Sequence, residues 1–468
     1  MKHIGFGAGY VLLSANDNFV RGLSYLVDNH PQKIGRKVAD LDIFSPDVLL
    51  NEDKESIFIW VLTKAHSDSI KSQLMEMGFI EGLHFIGFYD LDRQNEISDL
   101  FGKGSAITLS APKIIRYGDR SRLTCKFSDN GELIELWYEV DSKYEKYLLS
   151  ERSDAFLVCL LWYAMRSGRD IVCTTPVTEE LLYNIETLII PTLAKFSTSK
   201  LYPTKIHCAT ESKHLANTGD AVGTGLSCGI DSFHAIMNHL DPKQISMKLT
   251  HLCIFNTSVS YPGGMGSSVN DIQVKRFELA RKAAKELKLP LIEVDTNLAS
   301  SILTNHADSN TFMNFSVVFA LKKLWKTYYY GSTYNISMFS AGNGSGFNDL
   351  LLAYCCSDSD MRIYIEGIEK TRPEKVADVS EFLVARKYLR VCARTNNNCN
   401  VCSQCRRTMI ELEMAGKLEN FRDVFDVDYF LEHRREYYKE VYEQYKSGDA
   451  RDVETIGHIL NNLDQLCK

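Results

Sequence analysis

No stretch of this sequence approaches eighteen uninterrupted apolar residues, the length that a membrane-spanning helix needs. The opening MKHIGFGAGYVLLSANDNF holds one lysine, soon turns polar and lacks the long apolar core of a secretory signal. A cytoplasmic protein without a membrane segment is the expectation. An excess of positive charge is also missing. With 53 Lys and Arg against 60 Asp and Glu, a net charge of -7 argues against a surface built mainly to hold a nucleic-acid backbone. Repeats and low-complexity segments are absent, and 45% hydrophobic with 24% charged residues is the balance of a globular chain.

Cysteine, by contrast, is plentiful. Of thirteen, four crowd between Cys392 and Cys405, while Cys159 and Cys253 lie in apolar runs. That distribution fits a metal site plus reduced core thiols better than a disulfide framework.

At 468 residues, two or three domains are expected. The pattern predicts an α/β chain in four parts: a small Rossmann-like α/β region over 1–104, an α+β region over 105–215, a parallel-sheet domain over 216–420, and a helical tail over 421–468. In the first part Ile57 to Leu62 and His84 to Tyr89 read as strands around a helix from Ser69 to Met77. Its Gly5-Phe6-Gly7-Ala8-Gly9 suggests a glycine turn of the dinucleotide-binding kind, but the third glycine of that pattern would fall at Tyr10. A hairpin is expected around Asn130-Gly131, a buried helix from Asp154 to Arg166 stopped by Gly168, a strand from Asp170 to Cys173, and a helix from Thr178 to Phe196.

The chemistry-bearing segment begins at a strand-like Ala221 to Leu226, followed by Ser227-Cys228-Gly229-Ile230-Asp231-Ser232 and a helix from Phe233 to Leu240. A strand, a tight loop of small residues and a helix start present backbone N–H groups and the positive end of the helix dipole to an anion. The Ser227 and Ser232 hydroxyls can add hydrogen bonds, Asp231 can hold magnesium against phosphates, and Gly229 allows close backbone approach. Downstream, Leu249 to Phe255 and Leu291 to Val294 read as strands about a helix from Asp271 to Leu287, a βαβαβ run of parallel type. His306 to Tyr330 reads as one long helix and Asn335 to Phe339 as a further strand.

Cys392, Cys399, Cys402 and Cys405 form C-x6-C-x2-C-x2-C, a spacing suited to four-thiolate zinc, with an iron–sulfur cluster as the minor alternative. Six Lys or Arg and no acidic residue lie between Phe382 and Ile410, enough to offset the charge of such a site; Arg394 and Arg407 could instead face phosphate.

The hexapeptide at 227 to 232 resembles the SGGxDS signature of the PP-loop ATP pyrophosphatases, with Cys228 in place of the first glycine. Together with the cysteine cluster, it is similar to the 7-cyano-7-deazaguanine synthase family over roughly Gly219 to Gly416. The resemblance implies an adenine-nucleotide hydrolase-like sheet domain with a C-terminal zinc site. It places ATP pyrophosphate on Ser227, Cys228, Gly229, Asp231 and Ser232, makes Asp231, Ser232 and Lys375 the catalytic candidates, and gives ATP, magnesium and zinc as cofactors.

The implied reaction attaches AMP to a carboxylate or carbonyl oxygen, releases pyrophosphate, and lets ammonia or an amine displace AMP, forming an amide or nitrile. The substrate is a small molecule or a protein bearing a carboxylate. No cysteine follows Met1 to serve an N-terminal glutaminase, so ammonia is expected to come from solution, or the nucleophile to be a substrate amine. Homo-oligomerisation is left open. Two alternatives stand beside this reading: sulfur transfer, with Cys355-Cys356 as persulfide carriers, and a non-catalytic nucleotide-binding module whose loop Cys228 disables. Cys228 itself is expected to be a neutral thiol and no nucleophile.

Overall fold

The computed structural model describes residues 2–8, 20, 22–63, 66–81, 83–87, 106–129, 132–257, 269–302, 306–340, 345–392, 395, 397–446, 455–457 and 459. The chain is α/β, and among these residues the strands form one six-stranded sheet, one eleven-stranded sheet and one two-stranded pair.

The N-terminal sheet contains β1 (Lys2–Phe6), β2 (Leu23–Val27), β3 (Lys37–Val38), β4 (Leu41–Phe44), β5 (Ile57–Val61) and β6 (Phe85–Gly87) in the order β3-β4-β2-β1-β5-β6. All pairs are parallel except β3 with β4. Ile4 and Phe6 of β1 and Ile59 and Val61 of β5 point to one side, where they meet Ile70 and Leu74 of α1 (Ser67–Glu76). Gly7 takes a φ of 111°, and Ala8 donates its N–H to Asp28 at the end of β2, 2.8 Å away. Gly9 and Tyr10, on which the dinucleotide pattern turns, lie outside the described residues.

The large sheet takes in β7 (Ile107–Leu109), β8 (Lys113–Tyr117), β9 (Arg120–Asp129), β10 (Glu132–Asp141) and β11 (Ile171–Cys173). The hairpin expected at Asn130-Gly131 is present as the pairing of β9 with β10, although its turn lies outside the described residues. β12 (Val177–Thr178) and β14 (Thr210–Glu211) form the small pair, and β13 (Ile206–His207) extends the large sheet beyond β11. Its other half is wholly parallel: β15 (Ala221–Gly225), β16 (His251–Phe255), β17 (Leu291–Thr296), β18 (Trp325–Gly331) and β19 (Arg362–Glu366) in the order β17-β16-β15-β18-β19. The halves join where β10 pairs antiparallel with β17, Tyr138 opposite Thr296 and Glu139 opposite Asp295. The regions separated in the sequence at residue 215 thus share one sheet.

Period-two alternation explains why both faces of the parallel half are covered. Ala221, Cys253, Ile292 and Tyr328 enter one core, with α2 (Asp154–Ser167); Val222, Leu252, Ile254 and Tyr329 enter the other, with α3 (Ile230–His239) and α4 (Val269–Leu287). Gly168, at a φ of 65°, ends α2 in the left-handed conformation that glycine adopts without a Cβ penalty.

Two elements differ from the sequence expectation. The stretch from His306 to Tyr330 is not one helix: α5 (His306–Ala320) stops at a turn, and Trp325 to Gly331 is the strand β18 beside β15. Lys322-Lys323 interrupt the apolar run but are themselves buried, so periodicity alone does not mark the change, whereas the aromatic Trp-Lys-Thr-Tyr-Tyr-Tyr suits a strand, and only its Lys326 is exposed. Asn335 to Phe339 is not a strand. Ile336–Met338 is a single 3-10 turn, because the Asn335 side chain accepts the Ser337 N–H at 3.0 Å and closes it locally.

Of the remaining helices, α6 (Asp349–Cys355), α7 (Arg372–Ser380) and α8 (Leu383–Tyr388) follow. Then come α9 (Ser403–Met414) and α10 (Val427–Lys446). The segment from Glu179 to Phe196 is helical with a π turn over Ile185–Ile189. No helix among the described residues is long and apolar enough to cross a membrane.

Candidate active site

In the parallel half the chain runs outward from β15 to β16 and β17, then returns to β18 and β19 on the other side of β15. The loops leaving β15 and β18 therefore diverge, opening a crevice at their carboxyl ends, the place where open α/β sheets bind ligands. A cavity of about 270 Å³ lies there, lined by Ser227, Asp231, Ser232, Phe255, Asn314 and Tyr330 among others. The sequence motif and the topological switch point coincide.

The loop braces itself. Ser227 Oγ accepts the Gly229 N–H at 3.3 Å and donates to Ser232 Oγ at 3.2 Å, and Ser232 Oγ donates to the Gly229 carbonyl at 3.0 Å. Gly229 is the N-cap of α3 and offers no side chain to the first turn, so the orphan N–H groups at that end remain for a ligand. Gly331, at the end of β18, lets the strand pass the loop: a Cβ there would sit 2.7 Å from the Asp231 carbonyl oxygen.

Cys228 has a φ of 60°. The backbone adopts the left-handed turn that a glycine would take, and the side chain is directed into the core with Ile230 and Leu252, 1% exposed, away from the cavity. Burial pushes its thiol up to about 12 against the opposing pull of Arg390 and Arg276. Its carbonyl accepts the Arg390 N–H at 2.8 Å.

Asp231 sits between two cations. Lys375 Nζ is 3.7 Å from Oδ1 and Arg372 Nη1 is 3.8 Å from Oδ2, both beyond hydrogen-bond length. Lys375 is buried, donates to the Ser332 carbonyl at 2.5 Å, and is depressed below the usual lysine range by burial, with Asp231 opposing. Lys375 thus stands behind Asp231, whereas Arg372, which sequence reasoning passed over, approaches from the front of α7. A signal for it existed: Thr371 and Glu374 form a capping box that sets Arg372 in the first turn.

The opposite wall is neutral apart from Arg276. Asn314 Oδ1 accepts from Thr257 Oγ1 at 2.6 Å, while its Nδ2 donates to Tyr330 Oη at 3.0 Å and Asn310 Oδ1 at 3.1 Å. Arg276 of α4 also lines the cavity, lowered to about 10 by burial and by Arg390. Behind this wall Asp349 is buried and pushed up to about 8 by burial; a 2.6 Å bond from Thr311 Oγ1 opposes the shift and Asp231 adds to it.

Cys392, Cys399, Cys402 and Cys405 converge, their sulfurs all within 4.8 Å of one another. Zinc–sulfur bonds of about 2.3 Å in a tetrahedron require sulfurs about 3.8 Å apart. Cys402 Sγ lies 3.9 Å from Cys392 Sγ and 3.4 Å from Cys405 Sγ, so the four residues fit a metal ion such as zinc. Among the neighbouring basic residues, Arg386, Lys387, Arg406 and Arg407 pair with Glu381, Glu286, Glu440 and Glu411. Arg390 turns back to the Thr395 carbonyl, and Arg394 lies outside the described residues. A larger cavity of about 530 Å³ between the cysteine loop and the start of α10 is lined by Lys387, Asn398, Arg422 and Asp428, and by none of residues 227 to 232.

Cys355 and Cys356 are both buried, and burial raises both thiols, that of Cys355 to about 12. Comparison of the chain with protein-family models, with curated proteins and with solved structures finds no match.

Proposed function

We propose that this chain is an ATP-using enzyme of the PP-loop type, which transfers AMP to a substrate oxygen and releases pyrophosphate. The observation that carries the reading is the seating of the 227 to 232 loop at the switch-point cavity, with Asp231 flanked by Arg372 and Lys375.

A carboxylate is a poor electrophile because its leaving group would be oxide. Attack of a carboxylate oxygen on the α-phosphorus of ATP breaks the bond to pyrophosphate and leaves an acyl adenylate; ammonia or an amine then displaces AMP and forms an amide. The N–H groups at the start of α3 and the Arg372 guanidinium stabilise the departing pyrophosphate. Asp231 is the residue suited to hold a magnesium ion, which supplies charge neutralisation on the phosphates. Asn314, Asn310 and Tyr330 orient the acceptor through neutral hydrogen bonds. Zinc held by the four cysteines has a structural part.

Against the sulfur-transfer reading, Cys355 and Cys356 are covered and held neutral, where persulfide chemistry needs an accessible thiolate. Against the inert-module reading, Cys228 turns its side chain away from the cavity, so the substitution leaves the loop open. Free cysteines throughout the described residues suit a reducing, cytoplasmic compartment.

The test is ATP turnover with AMP and pyrophosphate measured separately, in cell extract as the source of acceptor. Asp231→Ala should abolish pyrophosphate release, a loss of at least about a hundredfold, with the circular dichroism spectrum unchanged. ADP as the product would rule out adenylation.

A further inference from the structure

The cysteine cluster and the phosphate loop are linked by two arms. One is the backbone: Arg390, two residues before Cys392, donates its N–H to the Cys228 carbonyl at 2.8 Å, and its guanidinium returns to the Thr395 carbonyl inside the cysteine loop at 2.7 Å. The other runs along α9. Cys402 is its N-cap, Cys405 lies in its first turn, and Thr408 and Glu411 follow at three-residue steps on the same buried face.

Glu411 is a carboxylate with no exposed side-chain surface, and it accepts from Arg372 Nε at 3.3 Å and Arg407 Nε at 3.1 Å. Thr408 Oγ1 accepts from Arg372 Nη2 at 3.3 Å. With Nε and Nη2 engaged by α9, the planar guanidinium has one orientation left, and in it Nη1 is directed at Asp231 Oδ2, 3.8 Å away. A buried carboxylate with two arginines is also the kind of anchor that holds only while the helix bearing it is in place.

We propose that Glu411 and Thr408 are positioning residues that hold Arg372 at the phosphate loop, and that through α9 the four-cysteine site sets how tightly the loop binds a pyrophosphate-class anion. The proposal rests on the phosphate-loop reading of that site. Neither residue touches the ligand. Both act through the direction of one guanidinium nitrogen, so a lysine at 372, with a single charged atom and no fork, cannot use them.

The experiment measures binding of inorganic pyrophosphate and of ATP by calorimetry in the full chain. Glu411→Gln and Thr408→Val should each weaken pyrophosphate binding about tenfold, with zinc content near wild type; Glu411→Gln should also melt lower, because it leaves two arginines against a buried neutral side chain, whereas Thr408→Val should melt near wild type. In an Arg372→Lys background, adding Glu411→Gln should change affinity by less than about twofold, because the residue it positions is gone. Removing the metal by chelation should cost at least as much affinity as Arg372→Lys. The proposal is overturned if Glu411→Gln binds pyrophosphate as wild type does, or if its effect is the same in both backgrounds. Should wild-type protein bind neither pyrophosphate nor ATP, the phosphate-loop reading fails by itself. Positioning is then decided by amide hydrogen exchange over residues 227 to 232, where several-fold faster exchange in Glu411→Gln supports it and unchanged exchange removes it.

Discussion

At the scale of single residues, Cys228 and Asp349 carry opposite kinds of strain. A non-glycine residue in the left-handed region costs about 1–2 kcal/mol, while burial of a thiol the size of that of Cys228 returns about 1 kcal/mol. Cys228→Gly therefore exchanges two terms of similar size. Its stability should stay within about 1 kcal/mol of wild type and ATP turnover should be preserved or raised, whereas Cys228→Val, β-branched at a φ of 60°, should lose several degrees of melting temperature. A folded Cys228→Gly protein that binds ATP but turns none over would point instead to covalent chemistry at the sulfur.

Asp349 makes its own pH dependence. Its carboxyl rises from 3.8 to about 8 on folding, so the native state binds the extra proton between those values and stability falls as pH rises through that window. Asp349→Asn keeps an acceptor for Thr311 and removes the titration, so its melting temperature should gain on wild type steadily from pH 5 to pH 8. Buried histidines such as His234, lowered by burial, contribute a rise up to about pH 6.5 in both proteins and cancel in the comparison. Parallel melting curves would show that Asp349 is ionised in the fold.

At the scale of elements, α9 is held at its start by the cysteines and along its length by Glu411. Purified protein should contain about one zinc per chain. Cys402→Ser should lower the melting temperature by about 5–10 °C and loosen the last third of the parallel half, because metal binding at such a site is part of folding. Protein prepared without chelators and found free of metal would remove the assignment. The cysteine spacing announced this element; the reading of β18 shows the reverse case. Helix α5 and strand β18 are separated in sequence only by Leu321-Lys322-Lys323-Leu324, all four buried, and only pairing with β15 and β19 decides where helix gives way to strand.

At the scale of the molecule, the sheet ignores the boundary that the sequence suggests at residue 215. α2 and α5 share one core, with Trp162 and Phe312 ring centroids 5.7 Å apart, and β10 covers the edge of β17. The N-terminal sheet, by contrast, has cores of its own. A fragment of residues 106–468 should fold and unfold cooperatively, whereas 216–468 should aggregate, since it bares the β17 edge and the apolar face of α5. A soluble 216–468 fragment with a cooperative thermal transition would mean that the two halves fold independently.

What the sequence determined by itself is local: the small-residue loop after β15, the four-cysteine spacing, the capping box at Thr371 and the alternation that buries strands, each set by residues a few positions apart. What only the tertiary structure decided depends on residues far apart in the chain. Arg372 and Lys375 reach Asp231 across more than a hundred residues, Gly331 is required because β18 passes the Asp231 carbonyl, and the Asp349 carboxyl is pushed up to about 8 because the fold removes water from it. Sequence patterns record which faces are buried, and they do not record against what. Charges, close approaches and shifted protonation follow from the partner, and the partner is chosen by the order in which the strands assemble.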